Sequence, residues 1–478
     1  MVSAKGFVTS SATVVLDRVL QNDSLRHIAR RYAEKAAYNA SMRLEMPGPI
    51  KAAEFVGKRN LIYAIDRALD RGAISSRVRE KILKNLFGKI MLPKKDVQEA
   101  FYEKYKIYPP GFITISPTAH CNLFCEGCYA NSSNRDKIHL DFDVFCRILE
   151  EKQRDWDSNF TVISGGEPLM WRSRGKTLLD LLRKYQDQFF MMYTNGTLID
   201  ERMADAIAEV GNLTPAVSLE GFEEATDKRR GKGTFSKILK AFDNLRRVGV
   251  PFGVSLTATR ENVEAMMSRE FIDFCFEQQG AIYAWFFQYM PIGRHFTLEH
   301  LVTPEQRLAM YKAQWDYMQN KKLFFVDFWN GGPISQGCFS GGRRGGYFYI
   351  NWNGDVTPCV FFPYSTHNVY KIYENGGTIN DVLLTGLFQD LRQWQKEYGY
   401  SEVGKSDPDK IGNWLAPCPI RDHHKAAWEM IQRNNARGID LPAQEAVLDE
   451  KYHAMLEEYG ERVSQLTQGE WERDYLRN

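Results

Sequence analysis

From residue 112 onward, short apolar runs alternate with amphipathic stretches. Apolar runs of strand-like composition lie at 112–116, 160–164, 189–194, 214–219, 252–257 and 282–288. Stretches with apolar residues at roughly helical spacing lie between them, at 141–154, 176–187, 199–210, 234–248 and 261–279. Alternation of this kind predicts parallel strands joined by crossover helices. We therefore expect an α/β body over 111–325, with one further helix at 304–320.

The region before this body has a different pattern. Residues 12–43 and 59–91 repeat apolar positions at helical spacing, and Met46-Pro47-Gly48-Pro49 divides the two stretches. The repeating positions are Leu16, Val19, Leu20, Ile28, Tyr32 and Ala36, then Leu61, Ile65, Leu69, Ile82 and Leu86. This predicts a helical extension over 1–110. Its apolar stripe either packs in a core or faces a membrane or a partner.

The composition changes again after the predicted body. Glycine, asparagine and aromatic residues dominate 329–377, and Asn353-Gly354 is a turn signal between two strand-like runs. We predict a hairpin there, within a small domain over 326–425. A polar helical tail over 426–478 follows, and we expect it to pack as a cap with little chemistry of its own.

Charge is unevenly distributed along the chain. The 478 residues carry a net charge of +2, yet 1–111 contain 21 Lys and Arg against 11 Asp and Glu. A basic N-terminal third is either a solvated helical face or a surface for anionic lipid, acidic peptide or nucleic acid. No nucleic-acid partner is expected. Peripheral membrane contact through these helices stays open, although no run of eighteen apolar residues predicts a membrane span.

Cysteine usage suggests a reducing compartment. The first residues, Met1 to Gly6, lack the basic-then-apolar signature of a signal peptide. Eight cysteines without an export signal favour metal binding over disulfides, and we expect a cytoplasmic protein. Cys146 and Cys275 stand among apolar residues of helical stretches, so we expect them to be buried core thiols.

Three cysteines are crowded directly behind the first predicted strand. Cys121, Cys125 and Cys128 have C-x₃-C-x₂-C spacing. A loop leaving a strand can turn all three thiols inward around one [4Fe–4S] cluster, and a missing fourth ligand leaves one iron open. A zinc site would favour four closed ligands, and disulfides leave an odd triplet unexplained. Spacing favours the cluster and keeps both alternatives open.

A second motif, Ser164-Gly165-Gly166-Glu167-Pro168, follows the second predicted strand. Together the motifs resemble the radical S-adenosylmethionine (radical SAM) superfamily over residues 110–300. The resemblance implies a partial (β/α)₆ barrel in which Cys121, Cys125 and Cys128 hold the cluster. It implies that Gly165, Gly166, Glu167 and Pro168 hold the amino group of the cofactor. Both motifs follow strands, and so both are expected at the C-terminal rim of the barrel.

The resemblance also implies the chemistry. Such enzymes cleave S-adenosylmethionine reductively to a 5′-deoxyadenosyl radical, which abstracts hydrogen from an unactivated carbon. We expect a peptide or protein substrate and an electron donor such as flavodoxin or ferredoxin. One alternative is a lipid or other apolar substrate at a membrane surface. A second is a non-catalytic iron–sulfur electron-transfer protein, which the Gly165–Pro168 motif disfavours.

Other predicted strand ends supply further cofactor contacts by resemblance. Asn195 follows the third strand, and Ser218 and Glu220 close the fourth. A polar residue there, Ser218 or Glu220, is expected to touch the ribose or the methionine part. Arg230 is expected to pair with the cofactor carboxylate, because a guanidinium fork suits a carboxylate. The alternative for Arg230 is a solvated turn of basic residues.

One position departs from the family pattern. The residue before the third cysteine is usually aromatic and touches the adenine, but here it is Gly127. Phe124 or Tyr129 is expected to make that contact instead. The stretch 288–294, which closes the sixth predicted strand, is expected beside the adenine or the substrate, with Arg294 reaching inward.

The last three cysteines suggest a second cluster. Cys338, Gly354 and Cys359 form a C-x₁₅-G-x₄-C pattern that resembles the opening of SPASM and Twitch domains. A full SPASM domain has further cysteines, whereas only Cys418 remains here. The resemblance implies one auxiliary [4Fe–4S] cluster on these cysteines, its fourth iron position open or filled by water or by a side chain of 422–424. Those candidates are Asp422, His423 and His424, the two histidines being expected as ordinary surface residues. Three unligated thiols are the alternative.

Overall fold

A single ten-stranded sheet runs through the molecule. The computed structural model describes residues 19–20, 22–85 and 94–477. Seven strands run parallel: β1 (Ile113–Ile115), β2 (Phe160–Ile163), β3 (Phe189–Thr194), β4 (Leu213–Leu219), β5 (Gly253–Ala258), β6 (Ala284–Gln288) and β7 (Phe325–Asp327). Strands β8 (Tyr349–Ile350), β9 (Asp355–Thr357) and β10 (His367–Asn368) extend the sheet beyond β1. The strand order is β10-β9-β8-β1-β2-β3-β4-β5-β6-β7.

The predicted parallel strands are confirmed. All six apolar runs form strands whose ends lie within two residues of the predicted bounds. The strands are buried almost throughout, because helices cover one face and a curved interior closes the other. Ile113 and Ile115 face the helix-side core, whereas Val162 and Met191 belong to a smaller cluster inside the curve. β7 was not predicted, since its three residues are too short to show a pattern.

The helices between the strands follow the predicted positions with two exceptions. They span Phe142–Trp156, Leu178–Lys184, Glu201–Val210, Glu223–Arg230, Thr234–Val248, Val263–Met266, Arg269–Asp273 and Pro304–Asn320. The predicted helix 261–279 is broken, because Ser268 caps a new helix by accepting from Phe271 N at 3.2 Å. The segment 223–230, for which no helix was predicted, is helical. Cys146 and Cys275 are buried core thiols, as predicted.

The N-terminal region is helical, with bounds that differ from the prediction. Its helices are Asp23–Met42, Gly48–Asp70, Ser76–Lys81 and Lys95–Tyr105. The predicted second helix begins at Gly48 instead of 59, because prolines suit the first turn of a helix as well as a break before it. Residues 12–18, which include Leu16, and residues 86–91, which include Leu86, lie outside the described part.

The first of these helices packs with its polar side inward. Arg26 is 4% exposed and donates to Asp66 at 3.3 Å, and Arg30 donates to Asp66 at 2.5 Å. The opposite side exposes Leu25 (46%), Ile28 (50%) and Tyr32 (73%). Core packing, one of the two alternatives for the apolar stripe, is therefore wrong for this helix. It holds for the second stretch, where Ile65 and Ile82 are buried.

The C-terminal region adds a hairpin and a helical layer. β8 and β9 form the predicted hairpin, with Gly354 at φ +81° and Asn351 Oδ1 accepting from Asn353 N and Asp355 N at 2.9 Å. The helices are Gly332–Ser335, Val369–Glu374, Gly386–Glu397, Pro419–Asp422, His424–Arg433, Leu441–Ala446 and Glu450–Trp471. Because β8 pairs with β1, the hairpin joins the main sheet. In the described part of the chain, no helix is long and apolar enough to cross a membrane.

Candidate active site

One cavity opens at the C-terminal ends of the parallel strands. It encloses about 1170 Å³ when the open space at its mouth is counted. The candidate site residues that line it are Cys121, Cys125, Cys128, Tyr129, Gly165, Gly166, Asn195, Ser218 and Arg230. Their meeting is the expected consequence of parallel strands, whose carboxyl ends share one rim. Glu167, Pro168 and Glu220 lie outside this lining.

The cysteine loop is held from several sides. Cys121 N donates to Ser133 O at 3.0 Å, and Asn195 Nδ2 lies 3.8 Å from Cys121 Sγ. Burial raises the pKa of the Cys121 thiol to about 12 and also raises the pKa of Cys125. Among the described residues, no three Cys, His, Asp or Glu side chains converge on a single metal ion. A [4Fe–4S] cluster does not need such convergence, because each thiolate binds a different iron.

The two motifs are joined through their main chains. Gly166 N donates to Thr118 O at 2.9 Å, and Glu167 N donates to His120 O at 2.9 Å. A Cβ atom at Gly166 would lie 2.4 Å from His120 O, and Gly165 has φ +115°. Glycine is needed at both positions, for close approach at one and for backbone conformation at the other. The cysteine loop and the glycine pair thus form one cradle.

Glu167 joins this cradle to the third strand. Its carboxylate is fully buried and accepts hydrogen bonds from Thr194 Oγ1 at 2.8 Å, Asn195 N at 2.9 Å and Leu169 N at 3.2 Å. Burial raises the pKa of this carboxyl to about 7. Pro168 is buried at the start of a short 3₁₀ turn. A cofactor contact from this motif would therefore come from the main chain of the glycines.

A charged group borders the opposite side of the cavity. Glu220 Oε1 accepts from Arg229 Nη1 at 2.6 Å and from Arg230 Nε at 2.8 Å. Glu220 is fully buried, and its Oε2 has no hydrogen-bond partner among the described residues. Arg230 ends the helix Glu223–Arg230 with its side chain 10% exposed, so the alternative of a solvated turn is wrong. Because Glu220 is buried and does not line the cavity, its free oxygen does not face a bound cofactor, and of the two predicted contacts Ser218 is the one that lines the cavity.

An aromatic ring from β6 occupies the space beside Gly127. A Cβ at Gly127 would lie 2.6 Å from Cε2 of Tyr289, which follows the strand. Phe124 is 71% exposed and lies under the Arg294 guanidinium at 3.5 Å, which argues against its predicted adenine contact. Tyr129 lines the cavity with its hydroxyl 2.5 Å from Ser164 Oγ. The sequence placed 288–294 beside the adenine or the substrate but did not pair Tyr289 with Gly127, because the two residues are 162 positions apart.

The three cysteines of the C-terminal region line a second, smaller cavity. Cys338, Cys359 and Cys418 border it together, although they are spread over 81 residues. Ser340 Oγ lies 3.0 Å from Cys338 Sγ, and the Tyr347 hydroxyl lies 3.0 Å from Cys359 Sγ. Burial raises the pKa of Cys359 to about 12 and raises the pKa of Cys418. Three thiols that border the same cavity could bind one iron–sulfur cluster, which thiols far from one another could not do.

An aromatic wall separates the two cavities. Phe328, Tyr347 and Phe361 line both of them. Their rings touch one another, with centroids 6.0 Å apart for Phe328–Tyr347 and 5.9 Å apart for Phe328–Phe361. The sequence analysis noted that 329–377 is rich in aromatic residues. It did not predict that some of them line the main cavity.

The proposed side-chain ligands for a fourth iron are already engaged. Asp422 accepts from Arg307 Nη1 at 2.6 Å and from Arg421 Nε at 3.2 Å. His423 Nε2 lies 2.8 Å from Ala416 O, and His424 is 3% exposed. The expectation of ordinary surface histidines is wrong, because the helix Glu450–Trp471 packs over this segment. A Cβ at Gly460 of that helix would lie 2.3 Å from Asp422 O.

Comparisons with known proteins agree with this geometry. Residues 115–271 match the family model of the radical SAM superfamily. The Fe-coproporphyrin III synthase of Methanosarcina barkeri is 33% identical over 152 residues, which are 32% of this chain and 38% of that protein. The mycofactocin maturase MftC of Mycolicibacterium smegmatis is 28% identical over 314 residues, 63% of this chain and 78% of that protein.

Further similarities involve peptide maturation proteins. The sporulation killing factor maturation protein SkfB of Bacillus subtilis is 22% identical over 53% of this chain and 60% of that protein. The structure of Streptococcus suis SuiB with precursor peptide SuiA aligns with 19% identity and a TM-score of 0.48, covering 59% of this chain and 67% of SuiB. Residues 115–271 therefore form a radical SAM domain, the family whose model they match.

Proposed function

We propose that this protein is a radical SAM maturase that abstracts hydrogen from a carbon of a peptide substrate. One observation carries the proposal. The cysteine loop, the glycine pair and Arg230 line one and the same cavity. When bound, the cluster and S-adenosylmethionine supply the 5′-deoxyadenosyl radical. The protein's own part is to hold, orient and shield them.

Each side of the cavity has a distinct role in this proposal. Cys121, Cys125 and Cys128 would hold the cluster, and the main chain of Gly165 and Gly166 would face the amino group of the cofactor. Ser218, which lines the cavity, would accept from or donate to its ribose, and Glu220 would act through the arginines that it holds. Arg230, fixed by Glu220, would balance the carboxylate. We assign the adenine contact to Tyr289, whose ring takes the place that Gly127 leaves open.

Aromatic residues close the interior of the curved sheet and keep water from it. Tyr193, Trp285 and Phe287 line the cavity, with ring centroids 5.3 Å apart for Tyr193–Phe287. Such a lining protects a reactive radical from quenching and accepts apolar or aromatic side chains. We expect part of a peptide substrate to lie against this lining beside the cofactor.

The charges of the cavity favour a peptide over a tetrapyrrole. The relatives named above include both peptide maturases and a coproporphyrin III synthase. A tetrapyrrole with several carboxylates would need several cations. Among the described residues that line the cavity, the basic ones are Arg229 and Arg230, and Glu220 already bonds both. The lipid and electron-transfer alternatives find no support among these relatives.

We also propose one auxiliary [4Fe–4S] cluster on Cys338, Cys359 and Cys418, in a domain bounded by residues 326–425. The bounds 1–110, 111–325 and 426–478 of the other segments stay predictions. A flavodoxin or ferredoxin would supply the electron in the cytoplasm. The exposed side of the helix 23–42 supports peripheral contact with an anionic membrane. Co-sedimentation with anionic vesicles, lost at high salt, tests that contact.

A deuterium-transfer assay tests the substrate class. Cells that make this protein are grown in deuterated medium, and their low-mass extract is incubated with reconstituted enzyme, S-adenosylmethionine and dithionite. Deuterium in 5′-deoxyadenosine reports abstraction from a molecule of the extract. The proposal predicts that treating the extract with protease, then removing the protease, abolishes the transfer. Transfer that survives this treatment, or that unlabelled coproporphyrin III competes away, contradicts a peptide substrate.

A further inference from the structure

Arg294 is buried directly against the cysteine loop. Its side chain donates to Cys125 O at 2.5 Å and to Ser132 O, and its main-chain N donates to Cys128 O at 2.9 Å. The guanidinium also lies 3.5 Å above the Phe124 ring. The residue is 5% exposed. Arg294 therefore touches the loop at three points between its second cysteine and Ser132.

This arginine has no acidic partner in the described part of the chain. Its side-chain hydrogen bonds go to carbonyl oxygens alone, and its buried Nε has no partner. Arg343 and Arg392 are also buried with carbonyl partners, whereas Arg307 is paired with Asp422. Arg294 differs in that its carbonyl partners belong to the loop of Cys121, Cys125 and Cys128. A buried charge without a counter-charge costs several kcal/mol, which a negative charge held by that loop would offset.

We propose that Arg294 is the counter-charge of the cluster held by Cys121, Cys125 and Cys128. This inference rests on the proposed function, because it needs the cluster in place. A [4Fe–4S]²⁺ core with three thiolates carries one negative charge, and adding one electron makes it two. A buried positive charge beside the loop stabilises the more negative, reduced form and raises the reduction potential. Arg294 is thus a positioning residue that also favours the electron uptake on which the chemistry depends.

Two substitutions separate the charge from the hydrogen bonds. Arg294→Gln keeps amide donors for the carbonyl oxygens but is neutral, whereas Arg294→Lys keeps the charge. Lys137→Met is the matched control, since Lys137 lies near the same loop, 2.8 Å from His120 Nε2, but is exposed. Water screens an exposed charge far more than a buried one.

The experiment is a potentiometric titration of the full-length, anaerobically reconstituted protein followed by electron paramagnetic resonance. The relevant cluster is the one whose signal changes when S-adenosylmethionine is added. We expect Arg294→Gln to lower the ratio of reduced to oxidised cluster at fixed potential at least tenfold, which is 59 mV for one electron. Arg294→Lys and Lys137→Met should stay within threefold of wild type.

The outcomes separate this inference from the proposed function. A wild-type protein without a signal that responds to S-adenosylmethionine refutes the proposed function itself. A normal wild type with an unshifted Arg294→Gln variant overturns the counter-charge and leaves a purely structural clamp. If Arg294→Gln fails to load iron while Arg294→Lys loads normally, the charge is required and the inference stands. If neither Arg294→Gln nor Arg294→Lys binds iron, the inference is overturned, because the hydrogen-bond donors of the guanidinium and not its charge are then essential.

Discussion

The contact between Gly166 and the cysteine loop gives the sharpest test of the site's geometry. Replacing Gly166 by alanine adds one Cβ atom, which would lie 2.4 Å from His120 O and 2.8 Å from His120 C. Both are main-chain atoms of the loop next to Cys121, so no side chain can turn aside to relieve the overlap. The loop and the glycine pair must therefore move apart.

The size of that movement sets the expected loss. An ordinary contact of a Cβ atom begins at 3.4 Å, so the shortfall is about 1 Å. A misplacement of about 1 Å at a reacting centre costs roughly 10²-fold in rate. We expect Gly166→Ala to form 5′-deoxyadenosine about 100-fold more slowly than wild type, equivalent to about 2.7 kcal/mol of activation free energy.

The assay is single-turnover formation of 5′-deoxyadenosine after reduction with dithionite, with iron counted on the same sample. Gly469→Ala is the matched control, because nothing lies within 4 Å of its added Cβ in the helix Glu450–Trp471. That variant should keep its rate and gain roughly 1 kcal/mol of stability from helix propensity. A Gly166→Ala variant that turns over like wild type would refute the close approach of the two motifs.

Three further predictions concern other parts of the molecule. Tyr347→Phe removes the hydroxyl beside Cys359 Sγ. Because a hydrogen bond to a ligand sulfur stabilises the reduced form, the auxiliary cluster of this variant should have a lower reduction potential than in wild type. An unchanged potential would exclude that hydrogen bond in the cluster-loaded protein. Burial lowers the pKa of Lys152 to about 7 from the usual 10.5. Between these pH values the unfolded chain binds more protons than the folded one, so the stability of wild type relative to Lys152→Met should rise with pH. The rise should be at most about 1.4 kcal/mol per pH unit. An equal stability difference between the two proteins at pH 7.5 and pH 9.5, measured by urea unfolding, would contradict this. Asp422→Asn leaves the buried Arg307 without its carboxylate and should cost about 3–5 kcal/mol in urea unfolding, whereas a loss below about 1 kcal/mol would show that the pair is dispensable.

The sequence predicted what local pattern can determine. Each parallel strand is a short apolar run bounded by turns, and the two motifs directly follow β1 and β2. Their meeting at one rim needed only the rule that parallel strands end at the same edge. The β8–β9 hairpin was equally local, because Asn353-Gly354 specifies its turn.

What the sequence could not predict depends on contacts between distant segments. The helix Glu223–Arg230 is too polar and short to show an apolar stripe, and it forms where its arginines meet Glu220. The helix Asp23–Met42 buries Arg26 because Asp66, on the next helix, accepts its hydrogen bond. A polar side of the helix therefore faces inward, where an apolar side is usual. Tyr289 beside Gly127 is a pairing over a distance of 162 residues that no local spacing reveals.

The central claim is that Cys121, Cys125 and Cys128 hold the cluster that cleaves S-adenosylmethionine. The most direct test compares wild type with the Cys121/Cys125/Cys128→Ala triple variant, by iron per chain and by 5′-deoxyadenosine after reduction. The account predicts about eight irons in wild type and about four in the variant, with product from wild type alone. About four irons in wild type and none in the variant would show that Cys338, Cys359 and Cys418 hold no cluster. The proposed active-site cluster would then stand. Cofactor cleavage that persists in the triple variant would contradict the account as a whole.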